Sequence, residues 1–136
     1  MRFDTKLAIV IRDDLPTWQK LNATAFLASG VAVTAPESVG KPFVDGDGRG
    51  YHPMFGQPIT VFSADAASLR AVFERLKARD EPCSIFIDEM FSSTHDEANR
   101  AVFTEARPEV FSIVGLAFRT ERRVADKITK GLELHG

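Results

Sequence analysis

The segment KLAIVIRDDLPTWQK, residues 6–20, decides the fold of this 136-residue chain. Its first part, residues 6–11, is a continuous apolar, β-branched run, which predicts a central strand buried on both faces. Arg12, Asp13 and Asp14 follow the run, and Pro16 fits the first turn of a helix. In α/β sheets, chemistry is usually placed at the carboxyl ends of strands. A strand that ends on Arg-Asp-Asp therefore points at a site.

The helix after this segment is predicted to run from about residue 15 to residue 33. Its small residues indicate close packing on a sheet. Asp13 or Asp14 can cap its start, because side-chain oxygens and negative charge favour a helix N-terminus. Either aspartate could instead orient a base or bind a cation, but capping is the commoner role.

The rest of the chain alternates in the same way. Strands are predicted at 58–62, 83–87 and 110–118, and helices from Asp65, over 94–106 and from Thr120. We therefore predict one α/β domain over residues 1–136, a three-layer sandwich with four strands and four helices. The alternation of strands and helices predicts a mostly parallel sheet. Residues 34–57 form a long connection with a hairpin near 45–48, and such connections are often lids or binding loops.

Composition narrows the class of protein. Hydrophobic residues make up 44% and charged residues 26%, as in ordinary globular proteins. The net charge of −2 provides no overall basic surface for nucleic acid. The single Cys83 excludes an internal disulfide and suits a reducing compartment. The chain opens without a charged-then-apolar leader and has no apolar run near about 18 residues, which predicts a cytoplasmic protein without a membrane span.

Several strand ends are expected to gather at one edge of the sheet and form the candidate site. The residues are Arg12, Asp13, Asp14, Ser63, Asp88, Glu89 and Arg119. Asp88 and Glu89 end a buried strand, where a carboxylate could act as general base or hold a catalytic lysine. They could equally form a solvated strand end, or an ion pair with Arg12 or Arg119. The residues leave these alternatives open.

Other motifs favour structural roles. His52, His95 and His135 show no ligand spacing, so no metal site is predicted. The segment 92–96 contains Ser, His and Asp, but neighbours at one helix start rarely converge as a triad. A capping box of Thr94 and Glu97 explains it better. No phosphate loop or dinucleotide fingerprint is present, so no cofactor is predicted.

Both ends of the chain resemble the type 2 peptidyl-tRNA hydrolases. At the start, the resemblance rests on the first strand, Arg12-x-Asp14-Leu15 and a lysine in an Ala-rich helix. At the other end, residues 114–118 and 124–134 are similar to that family's last strand and helix. A closer resemblance, over nearly the whole chain, is to a small family of uncharacterised bacterial proteins that share this fold.

The resemblance implies a four-stranded mixed sheet with helices on both faces, frequent dimers, and metal-free cleavage of the ester between peptide and tRNA. Lys20 matches the family's lysine with one residue of offset, Asp88 matches its aspartate, and Ser92 takes the place of its threonine. Glu89-Met90 departs from the family's Ala-Gly, and the helix-one signature is absent. The fold carries over, but the activity does not follow from the fold.

Two functions are therefore carried forward. In the first, a metal-independent ester hydrolase, Lys20 binds or polarises the substrate, Asp88 orients or deprotonates a water, and Ser92 donates a hydrogen bond. The substrate-binding residues would be Arg12, Glu89, Thr94 and Arg119. In the second, a non-enzymatic module, the pocket holds a small anionic ligand or the protein forms a homodimer. The acidic balance predicts no tRNA partner, and no membrane partner is expected.

Overall fold

The computed structural model describes residues 2–136. The strands are β1 (Thr5–Arg12), β2 (Phe43–Val44), β3 (Gly50–Tyr51), β4 (Ile59–Ala64), β5 (Ser84–Ile87), β6 (Ile113–Glu121) and β7 (Glu133–Leu134). The helices are α1 (Thr17–Thr34), α2 (Ala66–Ala78), α3 (Asp96–Glu105) and α4 (Arg122–Ile128). Short 3-10 turns lie at Pro36–Ser38, Asp88–Phe91 and Pro108–Val110.

The main sheet is mixed, with strand order β5-β6-β1-β4-β7. Strands β1 and β4 are parallel, β6 runs antiparallel to β1 and β5, and β7 runs antiparallel to β4. The predicted α/β class with four helices is confirmed, and so is the mixed sheet that the resemblance implies. The mostly parallel sheet that the residues alone predict is wrong, because three of the four strand pairs are antiparallel. The predicted number of strands is wrong, because the sheet has five. The fifth, β7, has two residues, too few to show the alternation that identifies a strand.

Strand β1 is buried on both faces, as its sequence predicts. Leu7, Ile9 and Ile11 pack under α1, whereas Ala8 and Val10 face the core formed with α2 and α4. All five are at most 2% exposed. Successive side chains of a strand point to opposite faces of the sheet, so β1 contributes side chains to the cores on both faces. The helices therefore form an outer layer on each side of the sheet.

The start of α1 differs from the prediction. Pro16 is its N-cap residue, and no side chain caps the helix. Asp14 instead accepts a hydrogen bond from Nε of Arg12, at 2.7 Å. The predicted capping role of Asp13 or Asp14 is therefore wrong. An adjacent guanidinium is a stronger partner for a carboxylate than a backbone N–H.

Two other helix starts are also displaced from their predicted caps. Nδ1 of His95, not the hydroxyl of Thr94, accepts from the backbone N–H of Ala98 and caps α3. Helix α4 begins at Arg122 rather than after Thr120, because β6 continues and pairs Thr120 with Lys6. Strand pairing with β1 thus takes priority over the local capping signal.

The long connection between α1 and β4 contains the predicted hairpin. Strands β2 and β3 pair antiparallel, and the carboxylate of Asp45 accepts from the backbone N–H groups of Asp47 and Arg49 and from the hydroxyl of Tyr51. These hydrogen bonds lower the pKa of Asp45. Gly48 has a φ of +86°, a conformation that glycine adopts without strain.

Gly115 is required where β6 passes β1 beneath α1. A Cβ at this position would lie 2.7 Å from Cδ1 of Ile11 and 2.8 Å from the carbonyl oxygen of Val10. We expect Gly115→Ala to lower the free energy of unfolding by about 1–3 kcal/mol through overpacking. Gly50→Ala, where nothing lies within 4 Å, is the control and should change it by less than about 0.5 kcal/mol. Equal urea midpoints for the two variants would contradict this account of the packing.

Candidate functional site

A bidentate ion pair joins the carboxyl ends of β1 and β5. Nη1 and Nη2 of Arg12 donate to Oδ2 and Oδ1 of Asp88, each at 3.1 Å. Nη1 also donates to the carbonyl oxygen of Ile113 at 3.0 Å, at the start of β6. The Arg12 side chain is 12% exposed. One guanidinium therefore links three strands.

The carboxylate of Asp88 has further partners. The hydroxyl of Ser112 donates to Oδ2 of Asp88, and the backbone N–H of Asp88 donates to the carbonyl oxygen of Ser112 at 3.0 Å. Both carboxylate oxygens therefore already accept hydrogen bonds from the protein. Of the alternatives that the sequence left open for Asp88, the structure shows the ion pair with Arg12.

The electrostatics keep both partners charged. Partial burial raises the pKa of Asp88, but the hydrogen bonds from Arg12 and Ser112 outweigh it and hold this pKa below its usual value. Partial burial lowers the pKa of Arg12, but its bonds to Asp88 and Asp14 outweigh that effect and raise it. A carboxylate with a lowered pKa and both oxygens occupied is a weak proton acceptor.

Lys20 lies away from this cluster. Its Nζ is 3.4 Å from Nε2 of His135, and the backbone N–H of His135 donates to the carbonyl of Val61 on β4. His135 follows β7, whereas Asp88 follows β5, and these strands are opposite edges of the sheet. Four strand spacings, about 19 Å in total, separate β5 from β7. The structure therefore does not bring Lys20 and Asp88 together.

The remaining predicted residues near Asp88 are on the surface. Ser92 ends the 3-10 turn Asp88–Phe91, and its backbone N–H donates to the carbonyl of Glu89 at 3.3 Å. The side chains of Glu89, Ser92 and Thr94 are exposed. Within residues 2–136, none of the three makes a side-chain hydrogen bond. The roles predicted for them in catalysis and substrate binding stay predictions.

Arg119 lies at the other end of the sheet, so its predicted place beside Arg12 is wrong. It pairs with Leu7 near the start of β1, because β6 runs antiparallel to β1. Its Nε donates to Oε1 of Gln57 and its Nη1 to Oε1 of Glu37, both at 2.9 Å. Arg119 thus ties the long connection between α1 and β4 to the sheet.

Sequence reasoning missed Ser112 and Gln57. Ser112 lies just before β6, within a segment that the apolar pattern assigns to the strand interior. Gln57 lies in a connection with no periodicity. Polar partners of this kind are set by the approach of distant segments. A single sequence carries no local signal for them.

Three further features concern Cys83, groups that could hold a metal ion, and helices that could cross a membrane. Burial raises the pKa of the Cys83 thiol to about 11, and Cys83 packs against the core. Over residues 2–136, no group of three or more His, Cys, Asp and Glu side chains is placed to hold a metal ion. None of the helices in this part of the chain is long and apolar enough to cross a membrane.

The fold defines an α/β protein with a five-stranded mixed sheet, and comparison with known proteins places it in a family. Residues 5–136 match the family model described as protein of unknown function DUF2000. The chain belongs to this family. A solved structure of the protein of unknown function Atu0240 from Agrobacterium tumefaciens is similar, with 47% identity and a TM-score of 0.96. The match covers 99% of this chain and 100% of that chain. A search of curated proteins returns no significant match.

Removal of the Asp88 charge tests the ion pair. Asp88→Asn leaves the largely buried Arg12 without its bidentate partner, and we expect the free energy of unfolding to fall by about 1–3 kcal/mol. Asp14→Asn is the matched control, because Asp14 bonds the same guanidinium but is 66% exposed. It should cost less than about 1 kcal/mol. Urea unfolding at pH 7 measures both, and an equal effect of the two substitutions would refute the assignment.

The lowered pKa of Asp88 also predicts a pH dependence. An ion-paired carboxylate contributes its full stabilisation above the unfolded-state pKa of about 3.9 and loses it as the pH falls through the folded pKa. The stability difference between the parent and Asp88→Asn should therefore be constant from pH 7 to about pH 5 and shrink below that. Parallel urea titrations across this range measure the difference. A difference that grows on acidification would contradict the pairing.

Proposed function

We propose that this protein is a non-enzymatic binding module that associates with a second copy of itself through α1. The observation that carries the proposal is the outer face of α1, formed by Trp18, Leu21, Phe26 and Val33. These side chains are 60%, 67%, 55% and 79% exposed. A surface helix ordinarily turns charged and polar residues to solvent. This helix instead presents large apolar side chains there.

The composition of α1 supports a protein contact on its outer face. Its 18 residues, TWQKLNATAFLASGVAVT, contain Lys20 as the single ionisable side chain. Only Ala23, Leu27 and Val31 are buried against the sheet. Large apolar side chains that are exposed together on one face are typical of a surface that contacts another protein. The sheet covers one side of α1, and a second copy would cover the other.

The exposed area is large enough for a dimer. With about 200 Å² for a fully exposed large side chain, the outer face of α1 offers about 500 Å² of apolar surface. Met54 and Ile59, beside α1 in the same groove as Ala25 and Ala32, raise this to about 700 Å². A typical interface takes about 800 Å² from each partner. The combined surface of about 700 Å² is larger than the largest apolar patch of a typical monomer, which is about 300–600 Å².

The same face favours a second copy over a charged partner. Because it carries no ionised group, it offers no complement to nucleic acid or to an acidic or basic protein. The helix is about 27 Å long, with Trp18 and Val33 of the outer face near its two ends. A two-fold axis near Ala25 and Ser29 would place Trp18 of each copy near Val33 of the other. Such a self-complementary contact is the usual form of a homodimer.

The hydrolase keeps one specific observation in its favour. Lys20 and His135 lie 3.4 Å apart, and such a pair can accept a proton from a water that attacks an ester carbonyl and return the proton to the leaving alkoxide. Against it, Asp88 is held by Arg12 and Ser112, and the Ser92 side chain makes no hydrogen bond within residues 2–136. The resemblance to the peptidyl-tRNA hydrolases therefore enters this proposal as a proposed likeness of fold, and catalysis is the weaker candidate.

Self-association is measured by sedimentation. We expect the protein at micromolar concentration to sediment with twice the chain mass of 15.0 kDa. Val33→Glu should shift the equilibrium to the monomer by at least tenfold, because each copy would bury a carboxylate beside Trp18 of the other copy, without an opposite charge to pair it. The far-ultraviolet circular dichroism should be unchanged, since Val33 is 79% exposed.

Val110→Glu provides the matched control. Val110 is an equally exposed apolar residue, at 73%, and it lies in the 3-10 turn Pro108–Val110, outside α1. This variant should remain a dimer. A parent protein that sediments as a monomer, or a Val33→Glu variant that remains a dimer, would refute the proposed association.

Ester turnover separates the two candidate functions. If the protein is a binding module, release of p-nitrophenol from p-nitrophenyl acetate should be the same for the parent, Lys20→Ala and Asp88→Ala at equal folded concentration. A hydrolase would instead lose turnover in both variants while the melting temperature of Lys20→Ala stayed near that of the parent. Saturable turnover that depends on Lys20 would overturn the non-enzymatic assignment.

A further inference from the structure

A cavity of about 460 Å³ lies between α1, β5 and α3. Its volume falls within the range of about 300–1,000 Å³ in which small-molecule sites occur. It adjoins the 3-10 turn Asp88–Phe91 through Met90, but the Arg12 cluster is not part of its wall. It is thus separate from the charged cluster at the ends of β1 and β5.

Aromatic side chains from three elements form the apolar part of the wall. Phe26 on α1 and Phe86 on β5 have ring centroids 5.8 Å apart, at an angle of 40°. Phe103 on α3 also lines the cavity and packs on Phe111 with a centroid distance of 4.9 Å. Each ring therefore has a neighbour that limits its motion. Tilted rings of this kind favour an aromatic guest, whose ring can adopt edge-to-face contacts with them.

The polar part of the wall has unused hydrogen-bonding groups. Strand β5 is an edge of the sheet, and within residues 2–136 the backbone of Ser84, Ile85 and Phe86 has partners on β6 only. Asn99 of α3 also belongs to the wall, and its Oδ1 is buried without a hydrogen-bond partner. A buried polar atom left unpaired costs about 1–3 kcal/mol, and a rotation of the Asn99 carboxamide that turns this oxygen to a ligand in the cavity would recover that cost.

The wall carries no unbalanced charge. Asp96 and Arg100 are its charged members, and they pair with each other at 2.6 Å. Both side chains are 75% exposed, so they stand at the rim rather than inside. A charged ligand entering between the rings would lose its hydration and find no opposite charge in return.

From these features we infer that the cavity binds a small, neutral aromatic molecule with an amide-like edge. Its ring packs against the Phe26–Phe86 pair and against Phe103. Its N–H donor and carbonyl acceptor pair with the free edge of β5 and with the carboxamide of Asn99. A strand edge alternates N–H and C=O groups, and a planar amide presents the complementary pair. The cavity shares Phe26 with the α1 face proposed for self-association, and its other wall residues lie outside that face.

Benzamide and benzoate are matched probes for this site, because they share size and shape but differ in charge. Titration of the ¹⁵N-labelled protein at pH 7 should give amide shifts centred on residues 84–86 and 99–104. Benzamide should bind with a dissociation constant at least tenfold lower than that of benzoate. The same titration on the Val33→Glu variant should give the same constants, which separates this result from the dimer.

Substitutions at the mouth and in the wall test the location. Thr104 is exposed and lines the cavity, so Thr104→Trp should fill it and weaken benzamide binding at least tenfold without unfolding α3. Ala101→Trp adds the same ring on an exposed position of α3 outside the cavity and should leave the constant within twofold. Asn99→Leu should weaken benzamide binding but not the binding of toluene, which has no donor.

The outcomes decide between the proposal and its rejection. Shifts near β5 and α3 that are lost in Thr104→Trp and kept in Ala101→Trp support it. Equal affinity for benzamide and benzoate, shifts elsewhere on the protein, or no binding of benzamide at millimolar concentration would overturn it. If Asn99→Leu fails to fold, the comparison of the two tryptophan variants still tests the site.

Discussion

The ion pair between Arg12 and Asp88 reaches across a strand. In the sheet, β6 lies between β1 and β5, and Arg12 spans it while also holding the carbonyl of Ile113. Arg12 is nearly buried, so its charge has to be matched where the chain places it. The ion pair between Arg12 and Asp88 fixes the end of β5 and the direction of the 3-10 turn that follows. Met90 and Phe91 on this turn then meet α1, where Phe91 packs against Trp18 at a centroid distance of 5.8 Å.

Helix α1 connects the two binding features proposed for the protein. One side of it packs on the sheet, one side faces a second copy in the proposed dimer, and Phe26 forms part of the cavity wall. Because α1 carries a single ionisable residue, its contacts are almost wholly apolar. Shape and aromatic packing, rather than charge, would therefore select the partners of this face. The charged cluster at the strand ends links β1, β5 and β6, whereas both proposed binding surfaces are apolar.

The sequence predicts the centre of the fold well and its edges poorly. The continuous apolar, β-branched run 6–11 predicts a strand covered on both faces. The Asp and Gly residues at 45–48 predict the turn of the hairpin. The two-residue β7 has no pattern to detect. The direction of β6 is not encoded in its apolar run, which is why Arg119 was expected at the wrong end of the sheet. Apolar periodicity shows that a strand is buried but not which way it runs.

The candidate site shows the same limit. An ion pair of Asp88 with Arg12 was one of the alternatives that the residues allow, but Ser112 and the separation of Lys20 from Asp88 depend on tertiary placement. A double-mutant cycle with Arg12→Met and Asp88→Asn tests the central claim, that this pair is a structural link across β6. Urea unfolding at pH 7 should give a coupling free energy of at least about 1 kcal/mol between the two positions. A coupling near zero would contradict the account.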